Sequence, residues 1–323
     1  MEGKHLTPDK ELFNPPIDVL SFYSMYGEDY TEWYSQADEL MQIVDNIFHS
    51  FTGYAGKTVL DKVFDELVPA SVSPFNIYFI NKNLKQYNLD AYDMFSVNSN
   101  GLRCDEFKTS HDGAHILFAG CSITFGDGMF EEYAWAKKTY DKIASTTPTS
   151  GYYNVAVPGF NHAQIYSQIF KYISKYGNPD YLFINWPDLR RLVDFGISKE
   201  ALTATVHAMQ LSLELYCKSN NIKLIAFSWD TRCCTDHSED DENPNDILYM
   251  FNADPRDRFE YGFYRWHSED RMKHMMQFEI DNKNHKYEKF FMRAFDVVHP
   301  GIAEHDFYAD FAYKTWKDIH GSV

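Results

Sequence analysis

Apolar positions along the chain recur with two different periods. Between residues 17 and 70 the spacing is helical, with Leu40, Ile43, Val44, Ile47 and Phe48 on one stripe and Thr58, Leu60, Val63, Phe64 and Leu67 suggesting a second. Stripes at that spacing ordinarily mark burial, so this part predicts an N-terminal helical extension that packs on the rest and carries no chemistry. Between 71 and 110 two runs, P-F-N-I-Y-F-I and M-F-S-V-N-S-N-G-L-R, read as short β-like segments broken by Asn and Gly.

Beyond residue 115 the rhythm changes. Apolar strands at 115–120, 153–157, 181–186 and 223–229 alternate with helices at 131–145, 163–176 and 199–219, and a final helix covers 303–319. That alternation predicts a three-layer α/β domain with a parallel sheet and right-handed crossovers. An acidic stretch at 236–246 and an aromatic, basic segment at 261–274 interrupt it, so 230–294 reads as an insertion near the carboxyl edge of the sheet. The expected division is residues 1–110 as the extension, mainly helical with short strands, and 111–323 as the α/β domain.

Composition narrows the classes of function. A chain of 323 residues, 44% hydrophobic and 17% aromatic, can fill a sizeable core. Thirty basic residues against 47 acidic ones give a net charge of -17, which repels phosphate backbones and anionic membranes, so neither nucleic acid nor membrane is expected as a partner. The first 16 residues have neither the basic start nor the apolar centre of a secretory signal, and no run of 18 apolar residues occurs, which leads to a cytoplasmic expectation. Five cysteines, with Cys233 and Cys234 adjacent, look like reduced thiols rather than a disulfide framework.

Candidate chemistry begins at 116–128, I-L-F-A-G-C-S-I-T-F-G-D-G, where a buried strand stops at small residues and places Ser122 on the turn. Ligands of open α/β sheets collect outside the carboxyl ends of strands, so this hydroxyl is well placed to act as a nucleophile. A nucleophile elbow fails because Thr124 stands where the second Gly is needed. A P-loop fails because no Lys lies between Lys108 and Lys137, and a phosphatase loop on Cys121 fails because Asp127 stands where Arg is required. What remains, Gly120-Cys121-Ser122-Ile123-Thr124-Phe125-Gly126, resembles the first motif of the SGNH, or GDSL-like, hydrolase family, with Cys121 in place of its Asp. The run 96–103 is similar to the family's lead-in; Asn98, Asn100 and Arg103 there fit a turn with a surface Arg better than a substrate contact.

A serine hydroxyl needs a base and a group that orients the base. Asp296-Val297-Val298-His299-Pro300-Gly301 offers both from one loop before the last helix and resembles the family's final motif. The resemblance implies Ser122 as nucleophile, His299 as base and Asp296 as its orienting partner, with Ser122 within hydrogen-bond reach of His299 or, in a ligand-free structure, somewhat beyond it. His305 reads as structural or as a residue that supports the site from behind. For the oxyanion, the resemblance implies the N–H of Ser122 and that of Gly159, in Asn154-Val155-Ala156-Val157-Pro158-Gly159. The family's Gly-x-Asn-Asp is missing from F-I-N-W-P-D-L-R-R at 183–191, leaving Asn185 first and Arg191 second as candidate side-chain donors.

Cys233, Cys234, Asp236 and His237 lack a second pair at finger-like spacing, and the acidic run lacks an EF-hand order, so no metal and no cofactor is expected. Tyr261, Phe263, Tyr264 and Trp266 could stack a sugar beside the site, although packing is the default for aromatic residues. Together the resemblance implies a flavodoxin-like SGNH fold over about residues 96–318 and a serine esterase acting on a small-molecule or carbohydrate ester, most plausibly an O-acetyl group. The competing expectation is a non-catalytic carbohydrate-binding or structural module that retains the fold.

Overall fold

The computed structural model describes residues 74–89, 91–187, 199–229 and 264–320. The helical stripes of 17–70, the acidic stretch 236–246, the Cys233–Cys234 pair, Tyr261, Phe263 and Arg191 lie outside those residues. The chain divides into two compact units, Met1–Tyr92 and Asp93–Val323.

In the first unit the run read as β-like is an α-helix, α1 (Pro74–Leu84), followed by a 3-10 turn at Lys85–Tyr87. Its aromatic and β-branched residues favour a strand, but Asn76, Phe79, Ile80 and Leu84 are buried at helical spacing, and Pro74 begins the helix where a missing N–H is harmless. The second run, 94–103, forms no strand either. Asn98 turns it instead, its side-chain oxygen accepting the N–H groups of Asn100 and Leu102.

The second unit is built on four parallel strands, β1 (Ala114–Gly120), β2 (Thr149–Asn154), β3 (Tyr181–Trp186) and β4 (Lys223–Ser228), in the order β2-β1-β3-β4. β2 starts earlier than its apolar run suggests because polar Thr149 pairs with Ala114 at the start of β1. Between strands lie α2 (Ser122–Phe125), α3 (Trp135–Ala144), α4 (His162–Tyr176) and α5 (Lys199–Ser219), and α6 (Ser268–Asp281) and α7 (Ile302–His320) follow β4. α4 opens with a capping box, in which Asn161 and Gln164 satisfy each other's backbone N–H groups.

Alternate residues of each strand enter opposite cores, which makes three layers. Leu117, Tyr153, Ile184 and Ala226 pack with Ile165 and Ile169 of α4 and Leu213 and Cys217 of α5. Ile116, Phe118, Phe183 and Phe227 pack with Trp135 of α3 and Tyr308 and Ala312 of α7, and the Phe118 and Phe183 rings stack at 4.9 Å. Burial on both faces explains why the strands read as continuous apolar runs rather than alternating ones. The chain leaves β1 toward β2 on one side and returns past it to β3 on the other, so the strand order reverses at β1, the kind of position where open α/β sheets ordinarily bind their ligands.

Trp266 is a core residue rather than part of a sugar-stacking wall. It is 2% exposed, and its indole N–H donates to the Ser228 carbonyl at 2.8 Å. Among the described residues, Cys104, Cys121 and Cys217 are free thiols, and no helix is long and apolar enough to cross a membrane.

Candidate active site

β1 ends at Gly120 because the chain must fold straight back over it. A Cβ at Gly120 would stand 2.1 Å from Thr124 Oγ1, so only glycine lets α2 start so close to the strand. Cys121 holds an extended conformation at the helix cap and is fully buried, and Ser122 opens the helix at 3% exposure. Ser122 Oγ makes no hydrogen bond to His299 or to any other described residue. Its N–H is likewise unpaired among the described residues, whereas its carbonyl accepts the N–H groups of both Gly126 and Asp127.

Two segments flank the end of β1. Val157 donates its N–H to the Gly120 carbonyl at 3.4 Å, and Phe160 closes a turn back onto Val157, with Pro158 and Gly159 at its tip. Gly159 presents an N–H with no partner among the described residues, and nothing lies within 4 Å of where its Cβ would be. Asn154, from the same motif, is a tie rather than a site residue: its amide donates to the Thr124 carbonyl and the Tyr152 hydroxyl, each at 3.0 Å. On the other side Asn185 is the register partner of Gly120 within β3, on the same sheet face as Phe183. It is wholly buried, and neither its amide oxygen nor its nitrogen has a partner among the described residues. A buried carboxamide left unpaired costs about 1–3 kcal/mol per unmet group, so Asn185 is a polar residue that packing alone does not account for.

The loop before α7 carries the Asp296–His299 pair. His299 Nδ1 and Asp296 Oδ2 are 2.5 Å apart, and Asp296 Oδ1 accepts the N–H groups of Val298 and His299, each at 3.0 Å. One buried carboxylate therefore fixes both the ring and the loop, and it leaves Nε2 as the ring nitrogen not bonded to it. This wrapping forces Val297 into the left-handed region at φ 59, a strained position for a β-branched side chain. Burial pulls the His299 imidazole down, but the charge and hydrogen bond of Asp296, followed by Asp127 and Cys121, outweigh it and raise the ring to about 9.

The two halves of the site are stitched together at Gly128. Phe295 donates its N–H to the Gly128 carbonyl at 2.9 Å, and a Cβ at Gly128 would stand 2.5 Å from the Asp296 carboxyl carbon. Arg103 holds this loop from behind, its guanidinium donating to the carbonyls of Gly126, Met129 and Met94, each at 2.7 Å. At 1% exposure Arg103 is neither the surface residue its turn suggested nor a substrate contact. His305 is structural: its Nδ1 accepts the N–H of Trp135 at the start of α3, and burial, followed by the charges of His299, Lys138 and Arg103, pushes it down to about 3.

Two groups of side chains are close enough to share a cation, Asp127 with Asp296 and His299, and His274 with Asp306 and Asp310. In the first, Asp296 and His299 already bond each other, and in the second the carboxylates pair with Lys138 and Lys142, so neither reads as a metal centre. Of the residues singled out in the sequence, Ser122 follows the end of β1, Asn185 pairs with the last residue of that strand, Gly159 lies in the turn that Val157 opens, and Asp296 and His299 form a bonded pair on a loop joined to the segment after Ser122. Asp127 is the neighbour of the Asp296–His299 pair that the sequence reading did not place there, and Arg103 the residue whose place it misread; the Gly-Asp-Gly at 126–128 was the available signal for the first.

No protein-family model matches the chain, and no curated protein matches it by sequence. Among solved structures it is similar to a psychrotrophic esterase, EstA from Pseudoalteromonas sp., determined inhibited by monoethylphosphonate. Identity is 13% and the TM-score 0.41, with 64% of this chain and 98% of that one covered.

Proposed function

We propose that this protein is a serine-dependent ester hydrolase of the SGNH, or GDSL-like, type, acting without metal or organic cofactor. The observation that carries the reading is the Asp296–His299 pair, bonded at 2.5 Å on a loop tied to the segment that follows Ser122. The ring's Nδ1 is committed to a carboxylate, which leaves Nε2 as the acceptor, the tautomer a general base requires.

In the reaction, Ser122 Oγ attacks the ester carbonyl as its proton passes to His299 Nε2, giving a tetrahedral oxyanion. The N–H groups of Ser122 and Gly159, both without a partner among the described residues, are the donors proposed to receive it. The imidazolium then protonates the leaving alcohol, and an acyl group remains on Ser122. Water, deprotonated by His299, attacks this acyl-enzyme, and the acid departs as the Ser122 hydroxyl is restored. The substrate class is a small or carbohydrate ester, with an O-acetyl group on a carbohydrate the first choice.

A second reading is a binding or structural module that retains the fold. It draws support from the Ser122 hydroxyl, which makes no hydrogen bond to a described residue, and from Asn185, which is enclosed within β3. Hydrolysis of p-nitrophenyl acetate by the purified protein, with Ser122→Ala beside it, separates the two. The esterase reading expects turnover that falls roughly a thousandfold or more in the variant. Equal rates in the two proteins would sink it.

A further inference from the structure

The Gly126-Asp127-Gly128 turn has a feature that the triad does not use. Asp127 is 2% exposed, and one of its carboxylate oxygens, one of Asp296 and a ring nitrogen of His299 all lie within 4.8 Å of one another. The imidazole therefore has two carboxylates beside it. Asp127 is held there from several directions: its N–H donates to the Ser122 carbonyl, its predecessor's carbonyl is gripped by Arg103, and its successor lies against Asp296. A buried acidic group is expensive to keep unless it is paired or hydrogen-bonded.

We infer that Asp127 is a positioning residue for the ester-hydrolysis reaction, a second carboxylate that steadies the imidazolium formed when Ser122 passes its proton to His299. This inference rests on the esterase reading for its purpose, though not for its geometry. The groups that face His299 are Asp296 on its own loop, Asp127 after α2, Cys121 at the end of β1 and His305 on α7. His305 stays neutral because burial holds it down to about 3, and Cys121 contributes less than either carboxylate. Asp127 is thus the group besides Asp296 that can set the charge state of the base.

The role has an advantage and a drawback. Two negative charges favour the imidazolium of both tetrahedral stages. They also keep much of His299 protonated, hence unable to act as a base, at neutral pH, which predicts an alkaline optimum.

The test is an NMR titration of the His299 ring in the wild type, Asp127→Asn, Asp127→Ser and Asp127→Glu, with the pH profile of kcat/KM on p-nitrophenyl acetate measured alongside. An opposite charge at this range shifts a neighbouring group by about 1–3 pH units, so the His299 midpoint should fall by about one unit in Asp127→Asn and Asp127→Ser. The acid limb of kcat/KM should move by the same amount, raising turnover at pH 7 up to about tenfold while the alkaline plateau drops. Asp127→Glu should restore the wild-type limb. A His299 midpoint unchanged in both neutral variants would overturn the inference, as would loss of the fold in both, which would make Asp127 structural. If the wild type hydrolyses no ester at any pH, the esterase reading fails, and the titration still decides whether Asp127 acts on His299.

Discussion

Replacing Asp296 by Asn changes one charge in a buried pair while leaving an oxygen that can still accept from the ring, so its consequences can be worked out in some detail. In the wild type the His299 value rises on folding from 6.5 to about 9. A group raised in the folded state stabilises it below its unfolded value, and that stabilisation is lost as pH climbs through the folded value. At about 1.36 kcal/mol per pH unit the pair contributes about 3 kcal/mol that is present below pH 6.5 and gone above pH 9. In Asp296→Asn the main opposing charge is removed, burial dominates, and the ring should titrate near or below its ordinary value, so the variant loses little over the same interval. Urea denaturation of both proteins between about pH 5.5 and 9.5 measures this directly, provided the m-values agree. The stability difference should be largest at the acid end and shrink by about 3 kcal/mol toward the alkaline end. A difference that stays constant with pH would show that Asp296 does not hold the charge of His299, and the account of the base would fail with it.

Two further outcomes follow from the same loops. Gly128→Ala places a methyl 2.5 Å from the Asp296 carboxyl carbon at φ 72. It should destabilise by about 1–3 kcal/mol in urea melts and lower kcat on a reporter ester more than it changes KM. Val297→Gly removes the strain of a β-branched residue at φ 59. Relief of about 1–3 kcal/mol against a glycine entropy cost of about 0.5–1 kcal/mol should leave the protein about 1 kcal/mol more stable, seen as a higher Tm.

The sheet was legible because its strands are buried on both faces and stand as apolar runs between turn residues. The Asp296–His299 loop was legible because three residues of spacing suffice for one side chain to wrap onto the other. The helix Pro74–Leu84 was not, since its Phe, Ile and Tyr residues have strand propensity and only the pattern of what is buried gives the helical period. Asn185 illustrates a different limit. Its neighbourhood of strand residues was readable, but the lack of any described partner for its amide is a three-dimensional fact with no local signature. Asp127 could be seen in its Gly-Asp-Gly turn, but its distance from His299 depends on loops about 170 residues apart closing on each other, which local pattern does not encode.

The burial of Arg103 bears on how this chain can be cut. Its guanidinium, sequentially ahead of the sheet, satisfies the carbonyls of Gly126 and Met129 beyond the first strand. A fragment starting at residue 111, the expected start of the α/β domain, would keep the whole sheet and every proposed catalytic group. It would nonetheless lose the charge-assisted hydrogen bonds that those two carbonyls accept, at about 1.5–3 kcal/mol each. Starting instead at Asp93, the first residue of the second compact unit, retains the arginine and Met94, whose carbonyl it also holds. The smallest piece worth expressing is therefore defined by a side chain that touches no substrate, and it begins well before the first strand.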